Sequence, residues 1–337
     1  MNKQLFRYTK PFELECGEQL PALEIVYHTY GKLNADKSNV VWVCHALTAN
    51  SDCGDWWKSI IGNGKILDPE TYFIICANII GSCYGTTGPL SVNPLTGNTY
   101  YGAFPMVTIR DMVNAHILLR TALGINTINI GIAGSMGAYQ LMEWAYIEKQ
   151  LFTNLVMLST SARESAWGIA IHTAQRLAIA ADCTWNTPNA NAGINGLKAA
   201  RAIGMLTYRN YDAFGKTQTD TDNKIDNFKA SSYINYQGDK LAQRFNAYSY
   251  WILSKSMDSH NTARNRGTME EVLKQITSKA LLIGIASDIL CPAIEQQYLA
   301  QHLANAIYRE IDSPYGHDGF LIEGEKVSSL LKNFLQQ

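Results

Sequence analysis

One segment of the sequence combines the residue types and spacing that nucleophilic catalysis needs. From Ile128 to Ala145 it reads INIGIAGSMGAYQLMEWA. An apolar, β-branched run enters Gly134-Ser135-Met136-Gly137, and helical patterning follows at once. A sharp strand-to-helix turn of this kind lifts a serine hydroxyl off the end of a sheet, and small neighbours let the backbones approach closely. Ala133 stands where the usual G-x-S-x-G pattern begins with glycine. A serine placed between a strand and a helix can also be a plain N-cap, so the segment needs partners to count as a nucleophile site.

A serine hydroxyl attacks only with a base in reach, and that base needs an orienting carboxylate. After such an elbow the partners follow in the chain order Ser, Asp, His. Asp288 follows the apolar run Ala280–Ile285 and precedes Pro292, and His317 lies in the turn-rich SPYGHDGF after a short run at Ile307–Ile311. Ser135, Asp288 and His317 are the expected catalytic triad. The oxyanion needs two backbone donors. One is expected from Met136, directly after the nucleophile, and the other from Leu47 in the His45-Ala46-Leu47-Thr48 loop. His45 reads as structural, because His317 already fills the base position.

These residues require a scaffold. The runs Val40–Cys44, Tyr72–Ala77, Ile128–Ala133, Leu155–Leu158 and Ala280–Ile285 read as strands of a parallel sheet buried on both faces. Val107–Leu123 and Met136–Glu148 read as helices between them, which makes an α/β class. Phe12–Cys16 and Leu23–Tyr30, separated by Gly17–Pro21, read as an antiparallel hairpin. A parallel crossover needs only about a dozen residues. Residues 163–278 far exceed that, and Ile169–Ala181, Gly196–Tyr208 and Gln243–Met257 within them have helical patterning, with a polar loop at Lys216–Asn227. The expected division is a core of residues 1–162 and 279–337, with residues 163–278 as a mostly helical lid.

Bulk composition narrows the function. Of 337 residues, 47% are apolar and 17% charged, and the net charge is −1. No basic stripe exists to neutralise phosphates, which argues against nucleic acid. No apolar run reaches the ~18 residues of a membrane span, and the N-terminal residues lack the apolar stretch of a signal peptide. The seven cysteines form no CxxC pair or metal-ligand spacing. The expectation is a cytoplasmic protein without a bound metal or resident cofactor. The sparse charge leaves faces that a second copy can cover.

HALTAN, YGTTGPLSVNP, FPMVTIRDMV, GSMGAYQLMEWA, GLKAARAIGMLTYR, YQGDKLAQRFNAYSY, MDSHN and YGHDGFL, in this order over residues 23–323, resemble the homoserine O-acetyltransferase family. The resemblance implies an α/β-hydrolase fold with a mostly parallel sheet and a helical lid insertion. It implies transfer of acetyl from acetyl-CoA, a cosubstrate, to the hydroxyl of L-homoserine through acyl-Ser135, a step of methionine biosynthesis, in a homodimer. It further implies that Arg201 binds the acceptor carboxylate, that Tyr208 lines that pocket and that Asp318 holds the amine. Arg244 reads as structural. Ala133 and Ala138 replace common family glycines, and Cys183–Asn195 looks altered. A succinyl donor, a serine acceptor and simple ester hydrolysis stay open as alternatives.

Overall fold

The computed structural model describes all of residues 1–337. Ten strands form: β1 (Asn2–Tyr8), β2 (Phe12–Glu13), β3 (Gln19–Leu20), β4 (Leu23–Tyr30), β5 (Val40–Cys44), β6 (Phe73–Ala77), β7 (Ile128–Gly134), β8 (Phe152–Leu158), β9 (Lys279–Ile285) and β10 (Ala306–Ile311). Eight of them make one sheet in the order β1-β4-β6-β5-β7-β8-β9-β10. From β6 to β10 all pairs are parallel, while β4 and β1 run antiparallel at one edge.

The interior strands are continuous apolar runs because both of their faces are covered. In β5, Trp42 and Cys44 enter one hydrophobic layer, and Val41 and Val43 enter the other. The first layer is closed by α2 (Ile109–Ala122) and α3 (Met136–Ile147), whose Met112, Leu119, Leu141 and Trp144 pack there. The second is closed in part by the C-terminal helix Gly324–Leu335, through Val327, Leu331 and Phe334 at helical spacing. The start of α2 is fixed by a capping box in which Thr108 and Asp111 satisfy each other's backbone donors.

The N-terminal pairing differs from the expected hairpin. Leu23–Tyr30 pairs with Asn2–Tyr8, in register from Asn2 opposite Thr29 to Tyr8 opposite Leu23. Phe12–Glu13 instead pairs with Gln19–Leu20 in a separate small ribbon around Gly17, which has φ 88°. The turn residues were real, but they close the short ribbon.

Between β8 and β9 lie α4 (Ala166–Ala180), α5 (Ile194–Tyr208), α6 (Tyr211–Gln218), α7 (Lys229–Ala242), α8 (Ala247–Asp258) and α9 (Met269–Leu273). The polar stretch at Lys216–Asn227 is helical as far as Gln218, because the Asn210 side chain caps α6 by accepting from Ala213 N–H at 2.9 Å. Gln243–Phe245 is a turn rather than the start of a helix, since α8 begins only at its own cap, Asn246.

The helical layer leaves and rejoins the core through a tight neck. Glu164 N–H donates to His260 C=O at 3.0 Å, and Thr262 N–H donates to Ala162 C=O at 3.1 Å. Asp258, at the end of α8, pairs with His172 at 2.8 Å and Arg176 at 2.5 Å, both on α4. The His260 ring stacks on Tyr139 with centroids 3.9 Å apart. The MDSHN segment thus clasps the two ends of the insertion together.

Candidate active site

The switch in strand order lies at β5, which has β6 on one side and β7 on the other. In open parallel sheets the crevice at such a point, beyond the carboxyl ends of the strands, is where ligands bind. Cys44 and Ala133 are register partners on β5 and β7. Leu47 and Met136 therefore each stand three residues beyond a shared rung of the ladder.

Ser135 links β7 to α3 with φ 55° and ψ −134°, and its side chain makes no capping hydrogen bond. A non-glycine residue in this region carries strain of roughly 1–3 kcal/mol. The plain N-cap role is not filled, because the hydroxyl accepts no hydrogen bond from the helix it precedes. Two glycines make the turn possible. A Cβ on Gly137 would lie 2.2 Å from Cys44 C=O, and one on Gly134 would lie 2.5 Å from the Phe320 ring. Ala133 is fully buried and is accommodated.

Asp288 and His317 meet as the chain order suggests. Asp288 Oδ2 lies 2.7 Å from His317 Nδ1. Asp288 Oδ1 accepts from the N–H groups of Leu290 at 2.8 Å and Cys291 at 2.9 Å, which fixes the carboxylate. With Nδ1 donating to Asp288, Nε2 is left as the acceptor. Burial alone would push the His317 pKa down. The charge and hydrogen bond of Asp288, helped by the charges of Asp318 and Glu164, outweigh it and raise the pKa above the ordinary value.

Ser135 and His317 line one cavity of about 410 Å³, together with Leu47, Arg201, Tyr208 and Asp318. No acceptor in the protein takes the N–H of Leu47 or of Met136. Met136 is buried in the core, and its backbone donor is one of the free N–H groups at the start of α3.

His45 is buried, and burial pushes its pKa down to about 4. Its ring contacts Ala46 C=O at 2.9 Å and receives Ile79 N–H at 3.3 Å, so it braces the loop that carries Leu47.

The three substrate-contact candidates come together. Arg201 and Tyr208 both lie on α5, and the guanidinium sits 5.2 Å from the Tyr208 ring centroid. The Arg201 Nε is buried without a partner. Asp318 does not cap the helix that follows it. Its carboxylate lies 3.1 Å from Arg209 Nε. Burial raises the Asp318 pKa, opposed by the charges of Arg209, Arg201 and His317. A half-buried cation and a half-buried anion in one small cavity fit the two charged ends of an amino acid.

Three participants were not legible beforehand. Arg209 directly follows Tyr208, and only the tertiary structure shows that it reaches Asp318. Lys240 lines the cavity too. Arg244 is structural in that it donates to Thr48 C=O and the Tyr84 hydroxyl, but it also lines the cavity.

A family model described as alpha/beta hydrolase fold matches residues 39–323. A homoserine O-acetyltransferase from Cyclobacterium marinum is 46% identical, over 99% of this chain and 95% of that protein. Among solved structures, a homoserine O-acetyltransferase from Bacillus anthracis superposes with a TM-score of 0.90 at 23% identity, covering 98% of this chain and 97% of that one. Esterase E22 superposes with a TM-score of 0.89 at 24% identity, covering 99% of both chains. At these identities the two structures speak for the fold alone, and their different activities show that the fold does not choose between transfer and hydrolysis.

Proposed function

The chain belongs to the homoserine O-acetyltransferase family within the α/β hydrolases, and from this we propose a two-step acetyl transfer from acetyl-CoA to the side-chain hydroxyl of L-homoserine. The observation that carries the reading is that Ser135 and His317 share one cavity with the oppositely charged Arg201 and Asp318.

In the first step His317 Nε2 takes the Ser135 proton as Oγ bonds to the thioester carbonyl carbon. The N–H groups of Leu47 and Met136 hold the oxyanion. The C–S bond then breaks, His317 returns the proton to the sulfur, and free thiol leaves an acetyl-Ser135 ester. Asp288 fixes the tautomer and stabilises the imidazolium. In the second step His317 takes the proton of the homoserine hydroxyl, that oxygen attacks the ester, and Ser135 departs reprotonated.

Arg201 binds the acceptor carboxylate, Tyr208 backs the guanidinium, and Asp318 receives the ammonium. This anchoring favours homoserine over water by proximity. Product O-acetylhomoserine suits a place in methionine biosynthesis. No helix is long and apolar enough to cross a membrane, and we place the enzyme in the cytoplasm. Exposed Leu206, Tyr211 and Phe228 on the insertion support a homodimer formed over that layer.

The test is thiol release from acetyl-CoA with and without homoserine, alongside mass analysis of the peptide holding Ser135. The expected result is one acetyl group on that peptide with acetyl-CoA alone and its discharge on adding homoserine. Ser135→Ala should abolish both. Discharge into water at an equal rate with or without homoserine would favour the esterase reading, and charging only by succinyl-CoA would replace the donor.

A further inference from the structure

Most arginines of this chain are ion-paired, among them Arg110 with Glu15 and Glu143, Arg120 with Glu148, and Arg266 with Glu143. Arg201 and Arg244 have no carboxylate partner, and both line the active-site cavity. Lys240 lines it as well, in no ion pair, with its ammonium 5.9 Å from the Tyr236 ring centroid. The cavity carboxylates do not balance these charges. Asp318 is engaged by Arg209, which leaves Asp55 alone against three cations.

The amino-acid acceptor brings one carboxylate, and Arg201 answers it. Lys240 and Arg244 then remain free of any carboxylate and able to meet a second anion. Both are exposed, whereas Ser135 and His317 are buried, so the second anion lies at the mouth of the cavity. Arg244 is also oriented in advance. One nitrogen, Nη1, is held by Thr48 C=O and the Tyr84 hydroxyl, and no acceptor within the protein takes the other end of the fork. A planar guanidinium fixed in this way is suited to phosphate. The cavity, about 410 Å³, takes an amino acid and the acylated end of a donor but not a whole nucleotide thioester. The phosphate-bearing part of such a donor must stay outside.

We propose that Lys240 and Arg244 form a phosphate subsite that holds the acyl donor at the cavity mouth while its thioester reaches Ser135. The subsite rests on the reading of a CoA thioester as donor. It acts on the first half-reaction only, since the acceptor carries no phosphate.

The test compares acetyl-CoA with acetyl-pantetheine, which has the same thioester and no phosphate, measuring the second-order rate of Ser135 acetylation. In Lys240→Gln, Arg244→Gln and the double variant, the preference for acetyl-CoA over acetyl-pantetheine should fall, by about 10-fold or more in the double variant, and added salt should erode the same preference in the native enzyme. Lys240→Gln is decisive because Lys240, unlike Arg244, makes no hydrogen bond to the Thr48 loop. Equal losses with both donors would give the two residues a structural role and overturn the subsite, as would an unchanged preference. If the native enzyme were acetylated by acetyl-pantetheine and not by acetyl-CoA, the donor reading itself would fall. That result is distinct from failure of the subsite alone.

Discussion

Arg209 Nε lies 3.1 Å from Asp318 Oδ2, and of the two residues only Asp318 faces the cavity. The guanidinium therefore supports the carboxylate from outside the binding space. On the proposed reading it positions the group that receives the acceptor ammonium, without lining the cavity itself. Burial raises the Asp318 pKa and Arg209 opposes the rise. Only ionised Asp318 pairs with an ammonium, so removing Arg209 should make acceptor binding fail at higher pH than in the native enzyme. Arg209→Gln should raise the homoserine KM by about 5-fold, the scale of a partly exposed ion pair of roughly 1 kcal/mol, and most at the acid end. Acetylation of Ser135 should change little, and Arg209→Lys should recover part of the loss. A KM profile shifted equally at every pH would point to simple misfolding of the loop.

Arg201→Ala should weaken use of homoserine by roughly 2–3 kcal/mol. Its buried Nε has no partner in the protein, so the loss should appear in the acceptor half-reaction rather than in folding. Single-turnover acetylation and deacetylation, measured separately, divide the two. Equal damage to both steps would instead make Arg201 a packing residue.

The His317 imidazole must be neutral to take a proton from Ser135. Its pKa is raised, chiefly because the charge and hydrogen bond of Asp288 outweigh burial. Ser135 acetylation should therefore rise with pH along a limb whose midpoint lies above the ordinary histidine value of about 6.5. In Asp288→Asn the midpoint should move down, since burial then acts with less opposition, and the plateau should drop by about 10⁴-fold as tautomer control is lost. A limb that stayed in place would mean that another group titrates.

Asp258 joins His172 and Arg176 across the neck of the insertion. Asp258→Ala leaves both without their carboxylate, at a cost of about 2 kcal/mol or more, which lowers Tm by on the order of 5 °C. Transfer depends on keeping water from the acyl-serine. The same variant should therefore raise acetyl-CoA hydrolysis relative to transfer at temperatures where it is folded. A fall in Tm with an unchanged partition would show that the neck stabilises the fold without guarding the ester.

The interior strands were legible because each is buried on both faces and so reads as an unbroken apolar run. The elbow was legible because close backbone approach around Ser135 demands small residues. β1 was not, since it is an edge strand whose residues are at best half buried, and NKQLFRY carries little apolar signal. Helix α7 was missed because its outer face is strongly polar and only Gly238 and Leu241 are buried. The Arg209–Asp318 contact had no local signal at all, as it joins the end of α5 to the loop beyond β10. MDSHN was visible as a motif, but its role as a clasp became physical only once α4 and α8 lay side by side.

The shared rung between Cys44 and Ala133 means that the site stands on two separate supports, the sheet and the helical layer. Leu47 and Met136, the expected oxyanion donors, extend from neighbouring strands of this ladder, and Arg244 of the α4–α9 layer braces the Leu47 loop through Thr48 C=O. Arg201 reaches the cavity from that layer. On the proposed reading, substitutions on α5 can change which acceptor is held while the sheet ladder beneath Ser135 stays as it is.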